Sequence, residues 1–355
     1  MTGYRGEKTA VWRFLENGRL DTGFYSYTGT QGYTEIDMGG YNRGLDIAAG
    51  NNGEIYVTGT GYSGYAQMFL VKYKDNCAGC FASPTATATK VIEVFVIDSG
   101  NHRIQVFDIY GNFKRKWGSV GSLDGQFFSP SDVALNSMGE VFVSDTNNHR
   151  IQVFDQNGNF LRKWTVYWTS SGTPGVPSGL VCDSNDNVYV VNNIYGGEVI
   201  AYDLYGNFQR NWFGIESGEY FDNPTGIDAD SDDYLYICDS RNYYIKKYDI
   251  YGNYLIKWQA AGDLFNYQAV CVGNDENVYG VGTTPKIHVS LKSGVPVNQW
   301  DLIDAASGVA NFDNLIFVSH GAWVEQKIKV YNFSGDLLYE WGTPGDNDGQ
   351  FNGAR

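Results

Sequence analysis

The chain has 355 residues, enough for one large repeat domain or two ordinary ones. Its 44 Gly and 27 Tyr, with only 18% charged residues, point to β structure, because aromatics suit a pleated surface and glycines make tight turns. A formal net charge of −15, from 40 Asp and Glu against 25 Lys and Arg, repels phosphate backbones and argues against a nucleic-acid partner.

No stretch reaches the ~20 apolar residues that span a bilayer. Met1-Thr2-Gly3-Tyr4-Arg5-Gly6 has no apolar core of a secretion signal. The organising feature is a repeat marked by Trp. Asp108-Ile-Tyr-Gly-Asn-Phe-Lys-Arg-Lys-Trp117 returns as Asp155-Gln-Asn-Gly-Asn-Phe-Leu-Arg-Lys-Trp164, as Asp203 to Trp212 and as Asp249 to Trp258. Degraded copies end at Trp300 and Trp341, so the intervals run from 41 to 48 residues. That is the length of a four-stranded propeller blade.

In chain order, Thr2 to Gly6 resembles the end of a second strand, and Ala10-Val-Trp-Arg-Phe14 and Asn17-Gly-Arg-Leu-Asp21 read as third and fourth strands. Residues 1–39 are therefore expected to be a partial blade. Seven units follow over 40–341, at 40–82, 83–128, 129–175, 176–222, 223–264, 265–304 and 305–341. Leu45 to Val57 aligns with Ser131 to Val143 without a gap, and Ser83-Pro84 and Glu93-Val-Phe-Val96 match Ser129-Pro130 and Glu140-Val-Phe-Val143.

One unit shows the plan. Ser131-Asp-Val-Ala-Leu135 is the first strand and Glu140-Val-Phe-Val-Ser144 the second, read as alternating with period two. Arg150-Ile-Gln-Val-Phe154 is the third. The outermost is Asn159 to Trp164, entered through an Asn-Gly hairpin whose Gly supplies positive φ. Gly349-Gln-Phe351 copies Gly125-Gln-Phe127, so 342–355 is expected to begin a further blade or to close the ring. The fold class is all-β, a β-propeller of six to eight blades with seven favoured, either closed on itself or cut from a longer array.

The phrases Asp98-Ser-Gly-Asn-His-Arg-Ile-Gln-Val-Phe-Asp108 and Asp145-Thr-Asn-Asn-His-Arg-Ile-Gln-Val-Phe-Asp155 resemble the NHL repeat, named for this Asn-His pair. A weaker copy runs from Asp239 to Asp249, and Phe14 to Phe24 looks like another bacterial propeller-type repeat. The resemblance implies a propeller, commonly six-bladed, with a binding face around its central channel. It also implies a range of roles: protein-interaction and RNA-binding modules, extracellular sensor domains, and a zinc-dependent lyase acting on peptidyl-hydroxyglycine.

Candidate site residues are those of the repeated loop: Asp98, His102, Arg103, Asp145, His149, Arg150, Asp239 and Arg241. Asp and Arg five residues apart across a returning loop can meet as a charge-assisted pair. Such a pair staples each loop, or presents Asp, Asn and Arg to a ligand. His102 and His149 hold the same repeat position, so each organises its own loop rather than sharing a metal; His288 and His320 lie in degraded units.

Asp228-Ala-Asp-Ser-Asp-Asp233 and Asp183-Ser-Asn-Asp-Asn187 read as turns, with calcium loops as the alternative. Cys77-Ala-Gly-Cys80 is either a local disulfide or free thiols, and Cys182 and Cys238 are small buried hydrophobes. Trp117, Trp164, Trp212 and Trp258 are expected to pack between blades rather than to stack on sugars. The reading is a non-catalytic scaffold without a required cofactor, using loops at the channel mouth to bind a protein, peptide or glycan. It is expected at a surface or outside the cytoplasm. The alternative is a metal-dependent lyase or hydrolase with its site in the channel.

Overall fold

The computed structural model describes residues 92–355 except 216–217, 261–264 and 322–325, together with the backbone of six strands within 1–91. The chain divides into two compact units, Met1–Val91 and Ile92–Arg355. In the first, Thr2–Arg5, Lys8–Trp12 and Tyr33–Ile36 form one antiparallel sheet; Asn42–Ala49, Glu54–Gly61 and Val71–Lys74 form another. The fourth-strand reading at Asn17–Asp21, the Ser83-Pro84 match to Ser129-Pro130 and the pair Cys77 and Cys80 lie outside the described residues.

The second unit is a ring of six antiparallel blades. Blade I comprises Glu93–Asp98, Arg103–Asp108 and Phe113–Trp117. Blade II comprises Pro130–Leu135, Val141–Asp145, Arg150–Phe154 and Phe160–Thr165. Blade III begins with Pro177–Cys182 and ends with Phe208–Trp212; blade IV begins with Pro224–Ala229 and ends with Tyr254–Trp258. Blade V runs from Tyr267–Val272 to Pro296–Asp301, and blade VI from Gly308–Phe312 to Leu337–Trp341. In each four-stranded blade neighbours in sequence pair in order. Hairpins between strands one and two, and three and four, therefore share one face. The other face carries the loops between strands two and three and the links between blades.

The ring closes on blade I through residues at the far end of the chain. Ala354 bridges Asp98, and Arg355 exchanges both backbone hydrogen bonds with Ile97, at 2.9 and 3.1 Å. Val96 and Phe107 of blade I share a core with Phe317, Ile328 and Val330 of blade VI. Of the six to eight blades expected, the ring holds six, one fewer than the favoured seven. The unit assigned to 40–82 belongs to the first compact unit, because blade VI meets blade I directly.

That junction repeats at every boundary. The Trp ending each outer strand lies against the hairpin Gly of the next blade. The pairs are Trp117 with Gly158, Trp164 with Gly206, Trp212 with Gly252, Trp258 with Gly294, Trp300 with Gly335, and Trp341 with Gly111. The packing role expected for the Trp residues is what the structure shows. Each of these glycines has φ between 82° and 89°, where side chains are disfavoured.

A second contact ties the same joints: Arg115 donates to Gln156 O at 2.8 Å, Arg162 to Leu204 O and Arg210 to Ile250 O. At the closing joint Tyr339 takes this place, donating to Ile109 O at 2.9 Å.

The second strand differs from its expected alternation. Val141–Asp145 is buried at every position, as are the equivalent strands of blades III and IV, whereas outer strand Phe160–Thr165 alternates half-buried with exposed. A blade packs both faces of its middle strands against neighbours, so only the rim shows period two. Among the described residues no helix is long and apolar enough to cross a membrane.

Replacing Gly158 with Ala would set a Cβ 2.6 Å from the Trp117 ring at φ +86°. The substitution is expected to destabilise the ring by about 2 kcal/mol through overpacking and backbone strain, measured by urea unfolding of the whole chain. A loss near zero would show that the joint tolerates separation.

Candidate functional site

The repeated loop residues converge below the face that carries the blade-to-blade links. In blade I the Asp98 carboxylate accepts from Arg103 Nε at 2.6 Å, Gln105 Nε2 at 3.0 Å, Asn101 Nδ2 and the backbone N–H of Asn352. Arg103 in turn donates to the carbonyls of Asp346, Asn347 and Gln350. Blade II repeats this with Arg150 Nε on Asp145 at 2.7 Å, and with Arg150 donating to Ser122, Leu123 and Gln126 carbonyls. Each clamp holds the link that leads into its own blade.

Blade IV keeps the carboxylate and changes the cation. Asp239 pairs with Lys246 at 2.7 Å, both fully buried, and accepts the Asp222 N–H. Burial pushes the Asp239 carboxyl up, against the opposing pull of Lys246. Arg241 stands apart, exposed, reaching Asp222 at 3.7 Å. Blade III has Asn192 with Glu198 instead, at 2.9 Å, and Glu198 holds Thr169 of the incoming link.

The structure thus brings Asp98 and Arg103, and Asp145 and Arg150, together as staples. Asp98, Asp145 and Asp239 are wholly buried, so they present no atom to a ligand at the surface. His102 and His149 also serve the links. His102 Nδ1 accepts the Ser129 N–H at 3.0 Å, whereas His149 Nδ1 faces Gly175 O at 2.5 Å and so carries the proton. Both sit at left-handed φ, 55° and 57°, closing the short turn after strand two.

The sequence reading missed Gln105 and Gln152, although the repeated Arg-Ile-Gln-Val-Phe shows Gln at a fixed place. It also missed the lining of the channel. The inner strands surround a cavity of about 930 Å³. Ser131 Oγ donates to Ser178 O at 2.7 Å, Ser178 Oγ to Thr225 O and Thr225 Oγ1 to Tyr267 O, a chain of hydroxyls running from blade II to blade V. The signal was the residue after each strand-opening Pro: Ser131, Ser178 and Thr225.

Two carboxylates enter this wall. Asp132 accepts the N–H of Leu180 in the next blade and that of Val133, each at 2.8 Å; Asp228 accepts Val272 N–H of the next blade at 2.8 Å. Burial raises Asp132 to about 7, with Asp228 adding to the shift and Arg355 opposing it. Burial likewise raises Asp228 to about 6, with Asp230 adding.

The turn Asp228–Asp233 folds around Asp230, whose carboxylate accepts from Asp232 N, Tyr234 N and Tyr236 Oη. Asp183 does the same for Asn185 and Asn187. Cys238 is buried and Cys182 half-buried; burial pushes both thiols up, away from thiolate chemistry.

The NHL repeat family model matches residues 127–154, the link and first three strands of blade II. The protein brain tumor of Drosophila melanogaster is 40% identical over 58 residues, 16% of this chain and 6% of that protein. The ring is a β-propeller, and its blade II carries an NHL repeat. Its match thus spans a small part of the length of that curated relative.

Solved propellers share the fold at low identity. A Bacteroides caccae protein of unknown function is 10% identical over 70% of this chain and 93% of that one, with a TM-score of 0.55. A catalytically inactive virginiamycin B lyase from Staphylococcus aureus, solved with quinupristin, is 13% identical over 94% of this chain and 88% of that one, with a TM-score of 0.53. At this level the likeness to both is one of fold.

Asp145→Ala would leave the Arg150 guanidinium buried without its carboxylate, an expected loss of about 3 kcal/mol or more. Urea unfolding measures it, and a change below ~1 kcal/mol would match an exposed pair instead.

The channel carboxylates carry the opposite sign. Their native values lie above the unfolded 3.8, so the folded state holds more protons between those limits and stability falls as pH rises from about 4 to about 7. Asp132→Asn is therefore expected to raise the melting temperature at about pH 8 and to flatten its pH dependence. An unaltered pH profile would show that Asp132 ionises freely.

Proposed function

We propose that this propeller is a non-catalytic binding module that docks a protein or peptide on the loops around its channel mouth, in a surface or sensor setting outside the cytoplasm. The observation that carries this reading is an aromatic patch on the links that flank blade III and on that blade's own loop between its second and third strands. Trp168 packs edge-on between Tyr195 and Phe213, with ring centroids at 6.0 and 5.4 Å. Tyr195 is 78% exposed and Tyr167, next to Trp168 in sequence, 50%; Tyr220, on the link into blade IV, is 64% exposed.

Exposed Tyr residues beside a half-buried Trp, on rigidly held loops, are side chains of the kind that dominate protein interfaces. Tyr195 also has φ 50° and precedes Gly196 and Gly197, at φ 103° and 101°. An aromatic residue in that region is strained, and such strain gathers at ligand-contacting positions. The clamps supply the rigidity: Glu198 grips Thr169, immediately after Trp168, through both its backbone N–H and its hydroxyl.

The metal-enzyme alternative needs several metal-binding side chains that converge. Among the described residues no group of three or more His, Cys, Asp or Glu is placed to hold a metal ion.

Affinity selection of a displayed peptide library against the whole chain, followed by calorimetry of the selected peptides, tests the reading. Tyr195→Ala and Trp168→Ala are each expected to weaken the selected peptides by roughly tenfold or more, as interface aromatics do. Peptides that bind both variants as tightly as the parent, or no selection at all, would overturn it.

A further inference from the structure

The aromatic patch leaves the channel itself unaccounted for. Asp132 and Asp228 are not demanded by the repeat. Gly179 and Gly226 stand where blade II has Asp132, and Ala134, Val181 and Cys271 stand where blade IV has Asp228. Three other blades thus build the same wall without a carboxylate at the Asp228 position, and two without one at the Asp132 position. Both groups are held in fixed orientation by N–H donors from the next blade and carry further lone pairs beyond those bonds.

A separate feature lies in the same cavity. Ser319, on the second strand of blade VI, is 5% exposed, lines the channel, and has no hydrogen-bond partner for its hydroxyl among the described residues. Gly308 makes room for it: a Cβ there would lie 2.7 Å from Ser319 Oγ. An orphaned buried hydroxyl is costly unless something fills its bond. Asp132, Asp228 and Ser319 come from blades II, IV and VI, alternate positions around the six-membered ring, and all border the one cavity of about 930 Å³.

The charges facing these groups are few. Arg355 opposes Asp132, Asp228 adds to its burden, and Asp230 does the same for Asp228. No salt bridge to either carboxylate is formed among the described residues, in contrast to Asp98, Asp145 and Asp239, each of which has its cation. The chain's net charge of −15 adds a field that draws cations toward a recess of low dielectric.

We propose that the channel binds an organic ammonium group, from a free amine or from a lysine side chain, with Asp132 and Asp228 as its counter-charges and Ser319 as a hydrogen-bond acceptor. An ammonium has three donors and no acceptor, which suits a wall offering carboxylate and hydroxyl lone pairs. The site is independent of the aromatic patch.

Calorimetry of the full chain at about pH 8, where both carboxylates are largely ionised, tests it with two probes, 1,5-diaminopentane and Nα-acetyl-lysinamide. At least one probe is expected to bind, and Asp132→Asn and Asp228→Asn each to weaken it by roughly tenfold or more. Binding of the diamine alone assigns a free amine, and binding of the capped lysine assigns a peptide side chain.

Ser319→Ala removes an unpartnered hydroxyl, so it is expected to keep the melting temperature while lowering affinity severalfold. It keeps the test open should an Asn variant fail to fold. Tyr195→Ala is expected to leave amine binding unchanged, which separates this site from the peptide-docking face. No heat from either probe, or equal affinity in the parent, both Asn variants and Ser319→Ala, would overturn the proposal.

Discussion

The ring depends on one contact made six times, the indole of an outer-strand Trp laid against a hairpin Gly of the next blade. The contact needs two things at once. The hairpin must turn at positive φ, which Gly adopts freely, and the indole must approach closer than any Cβ would permit. Because Trp and Gly sit on the same blade but face opposite neighbours, every blade is both donor and receiver of the contact. Such a chain of contacts leaves no Trp or Gly unpaired only when it closes. Trp341 on Gly111 closes it at six.

The buried clamps do a different job. Ion pairs inside a protein rarely add net stability over apolar packing, but breaking one is severe. Here each pair binds backbone carbonyls as well, so it fixes the path of a link that has few apolar residues of its own. The chemistry drifts around the ring, from Asp with Arg and Gln in blades I and II, to Asn with Glu in III, to Asp with Lys in IV. What persists through these four blades is a buried polar pair reaching the incoming link. The links remain free to vary on their outer side: those flanking blade III carry Tyr167, Trp168 and Phe213, which meet Tyr195 on that blade's own loop.

Much of this was legible from particular residues. The spacing of Trp117, Trp164, Trp212 and Trp258 fixed the repeat length, and the five-residue gap from Asp98 to Arg103 anticipated the staple. The channel was not legible. Asp132 is the second residue after its strand-opening Pro, and Asp228 is the fourth after its own, so no period links them. Ser319 lies on a different strand again. Groups meet in a channel because the ring brings them there, and a linear pattern carries no trace of that. The second strand misled for a related reason: alternation is a property of a sheet with one wet face, and these strands have none.

The sequence by itself determined the blade, since its hairpins, its Trp-bearing rim and its Asp-Arg loop are all set by residues a few positions apart. Local geometry of that kind leaves a periodic mark. The tertiary structure alone decided how many blades make the ring and what faces its axis. Those answers rest on contacts such as Asn352 N–H to Asp98, 254 residues apart, and on a wall assembled from different strands of successive blades. Closure is a global condition on angle and spacing around the whole ring, and no short segment of chain encodes it.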